Sequence, residues 1–237
     1  MLGQSVNKIL AIETATETCS VALSTDGGLV KRYEVAPRKQ TELILPMVDS
    51  VLMEAGLKLA DLDGLAFGSG PGAFTGLRVA AGVVQGLALG ANLRVAPIST
   101  LQIVAQGCLR EFGAGQVAAF FDARMGEVYW GLYQAQNGVM IPLMDDQLDK
   151  PDQLSGLSVL HANSTMPWQG AGNGWCHESV LSPQLPEMQG VYADFFPHAE
   201  DILPLAAIAF EQNNVVSAAD VQPVYLRESV AWKKTTK

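Results

Sequence analysis

The segment with the strongest chemical character is rich in glycine and spans residues 68–76, with the sequence GSGPGAFTG. Gly70 and Gly72 would let backbone N–H groups approach a phosphate, and a helix that begins near Thr75 would add the positive end of its dipole. Gly70 and Gly72 are therefore candidate residues for binding the phosphate groups of a cofactor.

The same segment has a second, structural interpretation. Pro71 removes one of the amides that would bind a dinucleotide, and residues 88–94 contain no Asp or Glu to bind a ribose hydroxyl. The segment also contains no Lys, which a P-loop requires. Because glycine equally permits a tight turn from strand to helix and close packing of that helix, we favour the structural interpretation.

Residues that could bind a metal ion are few and widely separated. The chain has three histidines, all in its second half: His161, His177 and His198. They form no His-x-x-x-His pair, the spacing that places two imidazoles on one face of a helix. The three cysteines are far apart and odd in number, which argues against a disulfide framework and against a thiolate site. The sequence therefore predicts neither a metal site nor a recognisable set of catalytic residues.

The composition is that of an acidic, well-packed globular protein. Of the 237 residues, 49% are hydrophobic and 16% are charged, and the net charge is −9. A charge of this sign repels nucleic acid, because binding to nucleic acid depends largely on Lys and Arg. The first residues lack the features of a secretory signal, and the apolar window at 79–93 is shorter than the roughly 20 residues of a membrane span. We therefore expect a cytoplasmic protein in which this window is a buried helix.

Periodicity in the first half predicts an alternation of strands and helices. Strands are predicted at 7–15, 19–25, 29–35, 61–68 and 94–98. The first three strands would form a meander, with a hairpin turn at Asp26-Gly27-Gly28. Apolar residues at helical spacing predict one helix at Gln40–Ala55, with Gly56 as its C-cap, and a second helix at 75–90.

A hinge near residue 113 divides the chain into two predicted domains. Ser99 is a good N-cap for a helix at Thr100–Phe112, and Gly113 and Gly115 follow that helix. Residues 1–112 would form an N-terminal domain, and residues 113–237 a second, more irregular α/β domain. A C-terminal helix of the second domain could pack back on the first.

The second half is predicted in less detail. Strands are expected at 116–123 and 127–133, joined through Arg124-Met125-Gly126. Proline and glycine are frequent from Pro142 to Pro204, which predicts short elements and long loops, followed by one clearer helix at 201–212.

Four segments, in order along almost the whole chain, resemble the TsaB family, which is related to the TsaD/Kae1 family. They are residues 9–23 with ILAIETAT and CSVAL, 68–78 with GSGPGAFTGLR, 122–129 with DARMGEVY, and 223–234 with PVYLR and AWKK. Each segment alone is weak, whereas their shared order over nearly the full length makes the resemblance specific.

The resemblance implies an α/β fold of the actin, hexokinase and Hsp70 type (ASKHA), with two related α/β halves. It also implies a non-catalytic subunit that supports a TsaD-type transferase. That enzyme transfers threonylcarbamoyl to the adenosine next to the anticodon in tRNAs that read codons beginning with A. A TsaE-type ATPase would join the two proteins, and contact with tRNA would be indirect. The rival hypothesis is a stand-alone enzyme of the same superfamily that binds ATP or a small phosphorylated ligand.

The resemblance also bears on individual residues. Glu13 and Thr14 stand where related sugar kinases carry a phosphate-binding hairpin. Because Ala15 replaces the glycine that is usual there, we interpret the site as vestigial, with weak ATP or ADP binding at most. TsaD-type enzymes bind a metal through two histidines on the helix after the meander. Position 40, where many TsaB chains keep one histidine, is Gln40 in this chain.

A ridge of glycines on the second predicted helix has two open explanations. Gly82, Gly86 and Gly90 recur every four residues, and each costs about 0.8–1 kcal/mol against alanine, so the pattern calls for close packing. That packing could involve a partner or the same domain. The resemblance implies that TsaB and TsaD associate through the two helices, and that the same surface forms a homodimer when the partner is absent. The predicted interface residues are Leu43, Met47, Val51, Leu77, Gly82, Gly86 and Gly90.

Overall fold

A mixed sheet of five strands forms the first half of the protein, in a computed structural model that describes residues 8–162 and 166–227. The strands are β1 (Ile9–Glu13), β2 (Thr18–Thr25), β3 (Gly28–Val35), β4 (Gly64–Gly70) and β5 (Val95–Ser99). They lie in the order β3-β2-β1-β4-β5. The predicted meander is confirmed, because β1, β2 and β3 pair antiparallel, while β4 pairs parallel with both β1 and β5.

A second sheet lies in the second half. Its strands are β6 (Gln116–Arg124), β7 (Glu127–Gln136), β8 (Val139–Pro142), β9 (Gln147–Asp149), β10 (Trp168–Ala171) and β11 (Met188–Tyr192). The order is β11-β10-β6-β7-β8, with β9 paired to β7. The tight connection between β6 and β7 is confirmed, and its residues Arg124, Met125 and Gly126 all have positive φ.

The helices of the described residues are α1 (Gln40–Ala55), α2 (Phe74–Ala91), α3 (Thr100–Phe112), α4 (Leu157–Ala162), α5 (Glu178–Leu181) and α6 (Ala199–Glu211). The predicted caps are present: the Ser99 side chain accepts a hydrogen bond from the N–H of Gln102, and Gly56 has the left-handed conformation, with a φ of 65°. Between Pro142 and Pro204 the elements are short, as predicted.

Different helices cover the two faces of the first sheet, because side chains alternate along each strand. Leu10 and Ile12 pack with apolar residues of α1 and α2, whereas Ile9 and Ala11 pack with residues of α6. Helix α6 therefore lies against the first sheet, although it belongs to the second half of the sequence. The predicted domain boundary near residue 113 stays a prediction.

Polar contacts also join the two halves. Asp146, which follows β8, accepts hydrogen bonds from the hydroxyls of Ser99 at the end of β5 and Tyr133 in β7. The segment 221–227 crosses between the halves, since the N–H of Val224 donates to the carbonyl of Ser69 at 2.7 Å. In the same segment, Arg227 forms an ion pair with Glu127 of β7, at 2.6 Å, and bonds the carbonyl of Ala123.

The boundaries around the glycine-rich segment differ from the prediction. The predicted strand at 61–68 is observed at Gly64–Gly70, and α2 begins at Phe74, so the loop is confined to residues 71–73. The strand extends through Gly70 because Gly68 and Gly70 pair with Ile98 and Ser99 of β5, beyond the point where the pairing with β1 ends at Phe67. Asn7 of the first predicted strand and residues 231–234 of the last resembling segment lie outside the described residues.

Helix α2 is longer than the sequence pattern suggested. With 18 residues, it is the one helix among the described residues whose length and composition would suffice to cross a membrane. The prediction that it is a buried helix holds for one face only. Leu77, Ala80, Val84 and Ala88 are buried, whereas the glycine ridge lies on the exposed side.

Candidate functional site

Glu13, the acidic residue of the predicted phosphate-binding hairpin, lies at the end of β1 and is fully buried. Its Oε1 atom accepts a hydrogen bond from the N–H of Ala15 at 2.5 Å, while no described residue bonds Oε2. A Cβ on Gly68 would lie 1.8 Å from Oε2, so the carboxyl group fills the space that Gly68 leaves. Burial raises the pKa of Glu13 to about 8, although backbone hydrogen bonds from Ala15 and Thr14 lower it in part. The carboxyl group is therefore mostly protonated at neutral pH.

The turn that follows β1 packs directly against the glycine-rich segment. The N–H of Ala73 donates to the carbonyl of Ala15 at 2.7 Å, and the Thr14 hydroxyl donates to the carbonyl of Gly76 at 2.8 Å. A Cβ on Gly72 would lie 2.6 Å from the Ala15 carbonyl oxygen, and one on Gly76 would lie 1.9 Å from that of Thr14. Both glycines are thus needed for the close approach of two backbone segments.

Gly70 is enclosed in the same way, by the C-terminal segment. Its φ is 123°, and a Cβ there would lie 2.6 Å from the carbonyl oxygen of Val224. Backbone carbonyl groups of Val224 and Ala15 therefore lie where side chains at Gly70 and Gly72 would begin, so packing within the chain accounts for both glycines. The four predicted cofactor residues do come together, and their geometry supports the structural interpretation: Glu13, Thr14, Gly70 and Gly72.

The histidines do not converge in the described part of the chain, where no group of three or more His, Cys, Asp or Glu side chains could hold a metal ion. They lie on α4 and immediately before α5 and α6: His161, His177 and His198. The ring of His198 is half-buried and stacks on Tyr33 with centroids 4.1 Å apart. Gln40 donates through Nε2 to the carbonyl of Thr16 at 2.9 Å, which ties α1 to the turn after β1.

The outer surface of α1 and α2 is the second candidate site. Gly82, Gly86 and Gly90 are exposed on α2, and no heavy atom of the described chain lies within 4 Å of the place that a Cβ would take at any of them. Packing within the described chain therefore does not account for the ridge. Contact with a partner, the other explanation that the sequence left open, stays a prediction.

Large apolar side chains are exposed on the same two helices. Leu45 and Met53 of α1 are 50% and 81% exposed, and Leu89 of α2 is 76% exposed. Leu45 and Met53 are separated by two steps of four residues, so they lie on one side of α1. A concentration of exposed apolar surface is typical of protein–protein interaction sites.

The predicted interface residues fall into three groups in the structure, the first of which is the exposed glycine ridge. Val51 and Leu77 are 0% and 1% exposed, within the core under the sheet, so they support the surface but cannot touch a partner. Leu43 and Met47 are half-buried and pack against that core. The reason for this correction is that the apolar spacing identifies the face of a helix that is directed at its own sheet. The apolar spacing did not single out the exposed residues Leu45, Met53 and Leu89, because they lie off the apolar stripe of each helix.

The chain is similar over most of its length to named bacterial proteins. The family model described as "TsaD: tRNA N6-adenosine threonylcarbamoyltransferase" matches residues 16–195. The chain is 44% identical to the "tRNA threonylcarbamoyladenosine biosynthesis protein TsaB" of Escherichia coli, over 96% of this chain and 97% of that protein. It is 39% identical to the protein of the same name in Haemophilus influenzae, over 95% of this chain and 96% of the relative.

A solved structure has the same architecture. "YeaZ from Pseudomonas aeruginosa" matches with a TM-score of 0.85 and 43% sequence identity, over 93% of this chain and 100% of that one. Together with the two mixed α/β sheets and the family match, this similarity confirms the predicted fold class, an ASKHA fold with two α/β halves.

Proposed function

The chain belongs to the TsaB family of tRNA threonylcarbamoyladenosine biosynthesis proteins, and we propose that it serves this biosynthesis as a non-catalytic subunit that binds and supports a TsaD-type transferase. The observation that carries the proposal is the exposed glycine ridge on α2, which no contact within the described chain explains.

The ridge is suited to the close approach of a second helix. Without side chains at Gly82, Gly86 and Gly90, a partner backbone can come nearer than an ordinary helix surface would permit. Each glycine weakens the free helix by about 0.8–1 kcal/mol relative to alanine. Binding energy from close packing, together with burial of Leu45, Met53 and Leu89, would offset that cost.

Three features support a role without catalysis. Close packing against the backbone of Val224 and Ala15 accounts for Gly70 and Gly72 without a bound phosphate. Gln40, at the position that the resemblance assigns to a histidine, is engaged with the backbone of Thr16. The net charge of −9 disfavours direct binding to tRNA, so the transferase would make most of the contacts with tRNA.

The same surface of α1 and α2 would mediate self-association when the transferase is absent. A TsaE-type ATPase would join the heterodimer, and the complex would act in the cytoplasm. These expectations follow from the family resemblance.

Reconstitution of the modification tests the function directly. With purified transferase, ATPase, threonylcarbamoyl-adenylate and tRNA, we expect formation of threonylcarbamoyladenosine to fall sharply when this chain is omitted. Undiminished turnover without the chain would contradict the proposal. Titration of the isolated chain with ATP and Mg²⁺ tests the rival enzyme, and tight binding with turnover would favour that rival.

Gly86→Leu tests the docking surface. Because the site of the missing Cβ is open, the variant should fold as a monomer, while the leucine side chain should prevent close packing and reduce association with the transferase at least tenfold. Calorimetry measures the affinity for the transferase, and sedimentation measures the oligomeric state. Gly27→Leu, at an exposed glycine in the turn between β2 and β3, is the matched control. Equal affinity of Gly86→Leu and wild type would exclude this surface.

A further inference from the structure

A groove with a volume of about 580 Å³ lies on the α6 side of the first sheet, on the opposite face from α1 and α2. Nothing in the proposed function uses it. Its lining comes from the edge of the sheet, the end of α3 and the start of α6: Ser20, Lys31, Tyr33, Arg110, Glu111, Phe112, Phe195, His198 and Glu200. Its volume is within the range typical of sites for small organic ligands.

The charged groups that line the groove neutralise one another. Lys31 donates to both carboxylate oxygens of Glu200, at 2.7 and 2.8 Å, and Arg110 donates to Glu111 at 2.9 Å. Two cations and two carboxylates therefore sum to zero in the lining, and directly behind it Arg110 also donates to both carboxylate oxygens of the buried Asp201, at 2.7 and 3.1 Å, which adds a third carboxylate. Burial and the nearby Arg110 lower the pKa of His198, so its ring is neutral around pH 7. The groove accordingly offers no net attraction to a polyanion.

Aromatic rings also line the groove, including those of Tyr33 and Phe112. Tyr33 stacks on His198 with centroids 4.1 Å apart, and Phe112 stacks on Tyr192 with centroids 3.8 Å apart, both nearly parallel. Stacking covers one face of the Tyr33 ring and one face of the Phe112 ring, yet these residues remain 38% and 39% exposed. A planar ligand could therefore extend either stack, and stacking on aromatic side chains is the usual way in which proteins hold nucleobases.

Hydrogen-bonding capacity remains beside the rings. Lys31 uses two of its three N–H donors on Glu200, and Glu111 accepts from Arg110 through one oxygen only. A donor and an acceptor of this kind can bind the polar edge of a heterocycle or the hydroxyls of a ribose.

We propose that this groove binds an uncharged, planar heteroaromatic ligand of the nucleoside class. The ring of the ligand stacks on Tyr33 or Phe112, and its polar edge or its hydroxyls bond Lys31 and Glu111. A phosphorylated form gains nothing from a lining whose charges cancel, so the nucleoside binds at least as well as its nucleotide.

Titration of the full chain with adenosine, guanosine and uridine, followed by ligand-observed NMR and calorimetry, tests the site. We expect saturable binding of at least one nucleoside at millimolar concentration or below, and no stronger binding of its monophosphate. Tyr33→Ala or Phe112→Ala should weaken the binding at least tenfold, whereas Tyr33→Phe should retain most of it. Phe74→Ala, which removes an exposed ring on α2, is the control.

Three outcomes overturn the proposal. They are the absence of saturable binding for all three nucleosides, stronger binding of a monophosphate, and equal affinity in wild type, Tyr33→Ala and Phe112→Ala. The assay involves neither tRNA modification nor the transferase, so its failure leaves the proposed function untouched.

Discussion

The two sets of glycines on and around α2 occupy opposite environments, although they are only a few residues apart. At Gly72 and Gly76 a Cβ would lie 2.6 and 1.9 Å from backbone oxygen atoms, whereas at Gly82 and Gly86 it would meet nothing within 4 Å. The first set is required by the fold of the chain itself. The second set makes the free helix less stable and has no compensation within the described residues. Glycine at regular spacing therefore indicates close packing, but it does not say whether the other surface belongs to the same molecule.

The largest expected effect concerns Glu13, whose carboxyl group fills the space beside Gly68. Burial raises its pKa from 4.5 to about 8 in the folded protein, so ionisation opposes folding. The stabilisation that protonated Glu13 contributes is complete below pH 4.5. It is lost progressively as the pH rises from 4.5 through 8. Wild type should therefore lose on the order of 4 kcal/mol of unfolding free energy between pH 5 and pH 9 through this group, and Glu13→Gln should not show that loss. Urea unfolding across this pH range measures the difference.

Glu34→Gln is the control for that measurement, because Glu34 is exposed on β3 of the same meander. It should leave the pH dependence of stability as in wild type. Parallel stability curves for Glu13→Gln and wild type would show that the Glu13 carboxyl group ionises without cost.

Gly76→Ala should have the next largest effect. A methyl group 1.9 Å from the Thr14 carbonyl oxygen forces the turn after β1 away from α2 and disturbs the hydrogen bond from the Thr14 hydroxyl. We expect a loss of about 3 kcal/mol in the free energy of unfolding, measured by urea denaturation. A loss below about 0.5 kcal/mol would mean that this junction is loosely packed.

Gly86→Ala makes the same substitution ten residues further along α2 and should have the smallest effect and the opposite sign. The added methyl group meets open space and raises helix propensity, so the isolated protein should gain about 1 kcal/mol in the free energy of unfolding. The same variant should bind the transferase more weakly than wild type. Destabilisation by Gly86→Ala would remove the contrast between the two sets of glycines.

Features that depend on neighbouring residues in the chain were predictable. The bounds of α1 and α3 agree with the apolar spacing, and the caps Gly56 and Ser99 were recognised from residue type. The β6–β7 hairpin was also expected, with Arg124 at its turn. These elements follow from backbone preferences and periodicity, which act over a few residues.

Contacts between distant parts of the chain were not predictable from local patterns. No pattern near Arg227 indicates its ion pair with Glu127, one hundred residues away in the sequence. The hydrogen bonds by which Asp146 joins Ser99 and Tyr133 likewise depend on how the halves meet. The predicted interface included Val51 and Leu77 because a helical pattern reports the buried face, and a face buried by the protein's own sheet has the same composition as one buried by a partner.

The amino-acid sequence by itself determined the family, the order of elements in the first half and the presence of two glycine clusters, because motifs and periodicity are properties of short stretches of chain. Only the tertiary structure decided what those clusters do. Whether the missing side chain of a glycine is replaced by backbone from the same molecule depends on which distant segment lies beside it. At Gly72 that segment is the turn after β1, and at Gly86 the described chain leaves the space open.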